Sequence, residues 1–269
     1  MSIVHTAPRQ PVTDPSECFF YHTMELPEIG LVRGMWDLRG GEEQYLGGVS
    51  FEGKTVLELG PASGFISFYM EKHGADVLGY DLSEEQAWDV VPYAELDTNT
   101  VISDRKDHIR RLNNSFWFAH NLLRSKAKIS YGSVYSISED LGLFDVAVVG
   151  SILLHLRDPF FALQKTLSRT RETVIVTDML SRYHFKRLVG LSSLLPKKLR
   201  RPTMAFVPDF TKGFPRDTWW RLNPQIVKAY LGVLGFEHTT ITYHHQPLNG
   251  KMLPLFTVVG RRTRGFMAK

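Results

Sequence analysis

From Lys54 onward the chain alternates short apolar runs with segments of helical spacing, and that alternation restricts the fold more than any other feature. KTVLELG (54–60), ADVLGYD (75–81), AKISYGS (127–133), FDVAVVGS (144–151) and ETVIVTDM (172–179) have the length of strands. Between them, SGFISFYMEKHG (63–74) sets Phe65, Phe68 and Tyr69 on one side and stops at Gly74. Residues 104–125 repeat Ile109, Leu112, Phe116, Ala119 and Leu123 at the spacing of one helix face. Asp158-Pro159 is an N-cap followed by proline in the first turn, opening a helix that runs to about Arg169. FDVAVVGS, apolar at nearly every position, suits a parallel sheet covered on both faces. The rhythm breaks between about 180 and 222. NPQIVKAYLGVLGF (223–236) restores a helix capped by Asn223 and stopped at Gly235. EHTTITYH (237–244) and LPLFTVVGR (253–261), joined through Asn249-Gly250, read as an antiparallel hairpin. The class is α/β, with five β/α units ahead of a closing hairpin.

The first unit carries the chemistry. In VLELGPASGF (56–65) a strand delivers two glycines to a helix start. Glycines let a ligand approach the backbone, and a helix N-terminus presents free N–H groups, which together make a nucleotide-site geometry. A plain βαβ turn is the alternative, since it also uses glycine. Dinucleotide folds place G-x-G-x-x-G here, whereas Gly60-Pro61-Ala62-Ser63-Gly64 lacks the middle glycine. Glu58, two residues before Gly60, repels a pyrophosphate and suits a ligand with an ammonium group. Asp81 ends the second strand, where a carboxylate can accept hydrogen bonds from ribose hydroxyls. An acid for an amine, glycines for close approach and an acid for a ribose describe S-adenosylmethionine.

LELGPASG, GYDLS and the terminal hairpin resemble the class I S-adenosylmethionine-dependent methyltransferases. YHTMELPEIGLVRGMWDLRG, GSVYSIS, FDVAVVGSILLHLRDP and WWRLNP, spread over residues 20–236, resemble a narrower bacterial group related to the tRNA wobble-uridine carboxymethyltransferases. The resemblance implies a Rossmann-like seven-stranded sheet whose last strand is antiparallel. It implies that Glu58, Gly60, Ser63 and Gly64 line the methionine end of the cofactor, with Ala62 a further cofactor contact, that Asp81 holds the ribose and that Leu82, Ser133 and Val134 flank the adenine. Gly150 and Ser151 border the site where the fourth strand ends. The tRNA relatives use a carboxylated cofactor read in part by an upstream lysine. Here no lysine precedes Lys54, and Leu154 stands where those relatives have tyrosine. Both departures favour the ordinary methyl donor, with Arg33 the residue able to replace the lysine. Residues 1–50 are expected to form an N-terminal extension or cap, and 51–269 a methyltransferase domain with a lid inserted at about 180–222.

Methyl transfer needs a base only when the acceptor must lose a proton. His155, just past the fourth strand, is the first candidate; a structural histidine bonded within its own loop is the alternative. Asp37 is the second, set against a salt bridge to Arg33 or Arg39 or a turn cap. Trp36 is placed to close over the sulfonium by cation–π attraction, or simply to pack the N-terminal segment. Tyr21 and His22 are candidates for an acceptor pocket. Phe116, Trp117 and Phe118, on a helix with Arg110 and Arg111, suggest nucleic-acid binding, but Phe116 is in phase with the apolar stripe and core packing is preferred.

Charge is uneven. The formal net charge is +4 over 269 residues, yet 181–221 holds ten lysines and arginines against Asp209 and Asp217, a net +8 that leaves the rest of the chain at −4. The acceptor is expected to be a small anionic or lipid- or sugar-linked metabolite, methylated at oxygen or nitrogen, with a lid closing over it there and Trp219, Trp220 and Arg221 walling the pocket. A solvated basic face and a peripheral membrane segment are the alternatives. An RNA-modifying enzyme with tRNA as substrate, and a non-catalytic cofactor-binding module, are the competing functions. No metal is expected. Cys18 is the single cysteine, so no internal disulfide forms. The chain shows neither a signal peptide nor an apolar run of the ~18–20 residues a membrane helix needs, so a cytoplasmic location is expected.

Overall fold

A computed structural model describes residues 6–90, 97–180, 201–209 and 217–265. Seven strands form one sheet in the order β10-β11-β7-β6-β3-β4-β5. They are β3 (Thr55–Leu59), β4 (Asp76–Asp81), β5 (Lys128–Tyr131), β6 (Phe144–Gly150), β7 (Thr170–Met179), β10 (His238–Leu248) and β11 (Lys251–Arg261). β3 to β7 are mutually parallel, and β11 lies between β7 and β10, antiparallel to both. This is the expected α/β sheet with its antiparallel last strand.

Period-2 alternation explains why these strands read as unbroken apolar runs: each face of the sheet has its own cover. Leu57, Leu59, Ala147, Val149, Val174 and Val176 point to one core, shared with Leu163 of α4 (Pro159–Leu167) and Leu231 of α5 (Pro224–Val233). Val56, Val146, Val148 and Ile175 point the other way, onto Ile66 and Met70 of α2 (Phe65–Lys72). Asp158 caps α4 by accepting from the Phe161 N–H at 2.9 Å, and Asn223 caps α5 by accepting from the Ile226 N–H at 2.9 Å.

Three elements differ from the sequence reading. Helix α3 (Thr98–Leu123) starts six residues before the apolar stripe becomes legible, because Asp97 caps it through the N–H groups of Asn99 and Thr100. The hairpin strands run to the two-residue turn itself, where Asn249 and Gly250 have φ of 48° and 73°. Both central residues are left-handed, as a turn matching the strand twist requires. The turn-rich N-terminus contains a short helix α1 (Glu42–Tyr45) and a small hairpin, β1 (Met24–Leu26) with β2 (Gly30–Val32).

That N-terminal segment is tied to the sheet's C-terminal edge. The N–H of Asp37 donates to the Pro247 carbonyl and that of Asn249 to Met35, while Phe19 N–H donates to Arg111 on α3. Gly34 allows the segment to fold on itself: a Cβ there would lie 2.4 Å from the His22 carbonyl carbon. β8 (Met204–Phe206) pairs antiparallel with β9 (Trp220–Leu222) beside this edge. The greater part of the expected lid, 181–200 and 210–216, lies outside the described residues. No helix among the described residues is long and apolar enough to cross a membrane.

Candidate functional site

A cavity of about 430 Å³ opens across the C-terminal ends of β3, β4, β5, β6 and β7. Its floor begins with the glycine turn. Gly60 has φ +66°, Ala62 +52° and Gly64 +86°, so three of five consecutive residues are left-handed, and the Ala62 conformation is strained for a residue with a Cβ. Gly60 and Ala62 face the cavity. Ser63 and Gly64 do not. Ser63, fully buried, accepts from the His22 N–H at 2.9 Å, and a Cβ on Gly64 would stand 2.6 Å from the Phe68 ring. Both are engaged in packing between the turn, α2 and the N-terminal segment.

Asp81 sits at the end of β4 with Oδ1 accepting from the Leu82 N–H at 2.8 Å and Oδ2 from the Ala62 N–H at 3.3 Å. Each oxygen keeps a lone pair for a ligand hydroxyl. Burial raises its pKa to about 6, against the pull of the two N–H groups. Glu58 is 5% exposed and takes a hydrogen bond from Ser67. Burial, with the Asp81 charge adding to it, pushes its pKa to about 8, so in the free protein it is mostly protonated at neutral pH. Leu82, Ser133, Val134, Gly150 and Ser151 also line the cavity.

The N-terminal segment closes one side with Tyr21, His22, Trp36 and Tyr45. The Trp36 indole N–H donates to the Tyr21 hydroxyl at 3.2 Å, and burial holds His22 neutral with a pKa near 4. The other side is a stack that the sequence did not disclose. Arg105 of α3 lies 4.3 Å over the Trp88 ring, and His155 stacks on Trp88 at 6.2 Å between centroids with planes 15° apart. Asp89 locks this loop by accepting from the Tyr135 hydroxyl at 2.5 Å and the Arg157 N–H at 2.7 Å. Asp217 ties the approach to β9 onto both: its carbonyl accepts from His155 Nδ1, and its carboxylate lies 3.8 Å from Arg105. A carbonyl only accepts, so the proton is on Nδ1 and the lone pair on Nε2. Burial lowers the His155 pKa, which keeps the ring neutral at pH 7.

Other candidates are not brought to the cavity. Asp37 is bound to Arg39 at 2.7 and 2.8 Å on the outer surface, a salt bridge that leaves it no contact with the site. Arg33 is exposed and does not line the cavity, and Arg221 is exposed on β9. Trp219 stacks on Phe206 and Trp220 meets the same ring edge-on, and neither lines the cavity; Asp217 and Thr218 line it instead. Phe116, Trp117 and Phe118 are all at most 3% exposed, so the aromatic cluster on α3 is core and offers no stacking platform for bases. No metal-holding group of His, Cys, Asp and Glu occurs among the described residues.

The buried acids make stability depend on pH in a calculable direction. Folded-state pKa values of about 8 for Glu58 and 7 for Asp178 lie above the ordinary carboxylate value, so each stabilises the fold at low pH and loses that contribution as pH rises through its folded pKa. His22 and His244, lowered to about 4, act oppositely, but only below about 6.5. Between pH 6.5 and 8 the carboxylates act alone. Ligand-free protein should lose on the order of 1–2 kcal/mol across that window. Thermal melts at half-unit pH steps check it; a melting temperature that holds or rises would mean both acids are already ionised in the folded state.

No family model and no curated protein matches the sequence. Solved structures do match by fold. The N-terminal domain of EvdMO1, crystallised in the presence of SAH and D-fucose, superposes with a TM-score of 0.54 at 17% identity, covering 91% of each chain. A SAM-dependent methyltransferase from Methanosarcina mazei gives 0.53 at 14% identity over 85% of this chain and 100% of that one. Magnesium protoporphyrin IX methyltransferase from Synechocystis PCC 6803, with bound SAH, gives 0.51 at 13% identity over 84% and 82%. With its sheet order, its antiparallel β11 and its glycine turn beneath the cavity, the chain has the Rossmann-like fold of the class I S-adenosylmethionine-dependent methyltransferases.

Proposed function

We propose that the protein is an S-adenosylmethionine-dependent methyltransferase acting on an oxygen or nitrogen of a small molecule. The observation that carries this is Asp81: a buried carboxylate at the end of β4, with lone pairs to spare, sharing one cavity with the left-handed turn at Gly60 and Ala62. That set fits a nucleoside whose ribose donates two hydroxyls. Known structures of the same fold hold SAH, the product form of this cofactor.

The donor, when bound, supplies a sulfonium methyl group for in-line displacement. The residues of this chain do the rest. Asp81 accepts the ribose hydroxyls, and Leu82 and Val134 sandwich the base. Glu58 gives up its proton when an ammonium group arrives and then balances that charge. Trp36, Tyr21 and Tyr45 surround the methyl end with aromatic faces, which favour a cation and exclude water. His155 Nε2 takes the proton from the acceptor. The ordinary donor is favoured over a carboxylated one, because among the described residues Arg105 is the only lysine or arginine lining the cavity and it is already engaged by Trp88 and Asp217. The same lining carries Glu58, Asp81, Asp89 and Asp217, so an anionic acceptor is disfavoured there and a neutral one fits better.

Calorimetry with S-adenosylhomocysteine tests the reading directly. Saturable one-to-one binding that S-adenosylmethionine competes for is expected. Absence of binding, or tighter binding of a dinucleotide, would remove it.

A further inference from the structure

The imidazole of His22 is firmly held, yet one of its nitrogens is unused. Its backbone is pinned against Trp36: the Thr23 N–H donates to the Trp36 carbonyl at 2.7 Å, and the Trp36 N–H donates to the Tyr21 carbonyl at 2.9 Å. The His22 N–H donates to Ser63 Oγ at 2.9 Å, and the same hydroxyl lies 3.3 Å from His22 Nδ1. Nε2 meets no partner among the described residues, and it is not one of the buried side-chain atoms left unsatisfied, so it keeps access to the cavity that His22 lines.

The proton on this ring can be placed. Ser63 is fully buried, and its hydroxyl already accepts from the His22 N–H. Its own proton meets no acceptor but Nδ1 among the described residues, and a buried O–H without an acceptor is costly. Nδ1 therefore accepts, and in a neutral imidazole the proton is then on Nε2. Burial holds the ring neutral, with a pKa near 4. His22 thus presents an N–H donor to the cavity.

The location of that donor selects its ligand. Ser63 stands just before Gly64, the cap of α2, and Ser67 lies in the first turn of the helix. Ser63 holds His22 and Ser67 holds Glu58, so one turn of chain supports both a donor and an acid at the cavity. An amino-acid group carries its ammonium and its carboxylate on one carbon and needs such a pair. Among the described residues, Arg105 is the only lysine or arginine lining the cavity, and it belongs to the other wall with Trp88 and Asp217. We propose that His22 Nε2 donates to the carboxylate of the cofactor's amino-acid end, beside the ammonium held by Glu58; this rests on the methyltransferase reading. The N-terminal segment is then part of the cofactor site. His22, expected at the acceptor, becomes the residue that distinguishes an amino-acid nucleoside from one without a carboxylate.

Calorimetry with S-adenosylhomocysteine and with S-adenosyl-3-thiopropylamine, which lacks only the carboxylate, provides the test. The intact protein should prefer S-adenosylhomocysteine about tenfold or more, the usual consequence of a hydrogen bond to a charged group. His22→Asn sets its amide where Nδ1 stands, so it keeps the Ser63 partner and has nothing at the Nε2 position. It should bind both ligands with the affinity that the intact protein shows for the amine. His22→Gln reaches the Nε2 position and should keep most of the preference. Imidazole ¹⁵N spectra of the intact protein, with His22 identified by its loss in His22→Gln, should show the proton on Nε2 and a shift of that nitrogen with S-adenosylhomocysteine but not with the amine. Equal binding of the two ligands by the intact protein, a preference that survives His22→Asn, an equal loss of both ligands in the folded variant, or a proton on Nδ1 would each overturn the assignment of His22. Failure of the intact protein to bind either ligand would overturn the methyltransferase reading itself.

Discussion

Replacing His155 by asparagine should leave S-adenosylhomocysteine binding near the wild-type value and lower methyl transfer by about 10²–10⁴-fold, the range for loss of a general base. The expectation rests on how the ring is held. The Asp217 carbonyl fixes the proton on Nδ1, and the Trp88 ring fixes the imidazole plane, so Nε2 carries the lone pair in a set direction. Asparagine can still donate to the Asp217 carbonyl and preserve the local contact, but it has no basic nitrogen. Because burial depresses the pKa, the ring is neutral and available at pH 7. The rate should therefore rise with pH and level off below the ordinary histidine value of about 6.5, and the variant should lose that limb. Labelled methyl from S-adenosylmethionine is followed into the small-molecule fraction of a cell extract. A variant with full activity, or an unchanged pH profile, would return His155 to a purely structural role in its loop.

The parts of this protein legible in its sequence are those set by local pattern. β6 could be read from FDVAVVGS because both sheet faces are covered, so nearly every position is apolar. The turn at Asn249-Gly250 was visible because two left-handed residues need those side chains, but the length of β10 was not, since its outward positions are polar and exposed. The position of Asp81 at the end of β4, on the cavity, was legible because a strand-ending acid has a fixed place in this topology. Ser63 and Gly64 show the limit of motif reasoning: a glycine between turn and helix serves equally to admit a ligand or to admit Phe68, and only the neighbouring ring decides. The wall of Trp88, Arg105 and Asp217 joins three segments far apart in the chain, and no spacing records it. One signal existed. Arg105, His108 and Leu112 share a helix face that leads from the apolar stripe to the cavity rim.

Asp81→Ala should weaken S-adenosylhomocysteine binding by about 10- to 150-fold, the equivalent of roughly 1.5–3 kcal/mol for hydrogen bonds to a charged acceptor. Glu58→Gln makes a sharper distinction, because the two acids differ in the free protein. Asp81, near pKa 6, is already ionised at pH 7.5, so its loss removes an existing partner and, with one neighbouring charge gone, also lowers the Glu58 pKa. Glu58, near 8, still holds its proton there. An ammonium group arriving beside it lowers that pKa, since an opposite charge favours the ionised form, and the proton must leave. Binding at pH 7.5 should then release a fraction of a proton, seen as a dependence of calorimetric enthalpy on the ionisation heat of the buffer. Glutamine keeps the hydrogen bond from Ser67 but has no proton to lose, so Glu58→Gln should abolish the release as well as weaken binding, whereas Asp81→Ala should weaken binding and leave a smaller release in place, because burial remains the larger cause of the raised Glu58 pKa. Affinity should also fall as pH drops through 6, where Asp81 becomes protonated and can no longer accept two hydroxyls. Unchanged binding in both variants would mean that the cofactor sits elsewhere, and the glycine turn would be no more than a tight connection between β3 and α2.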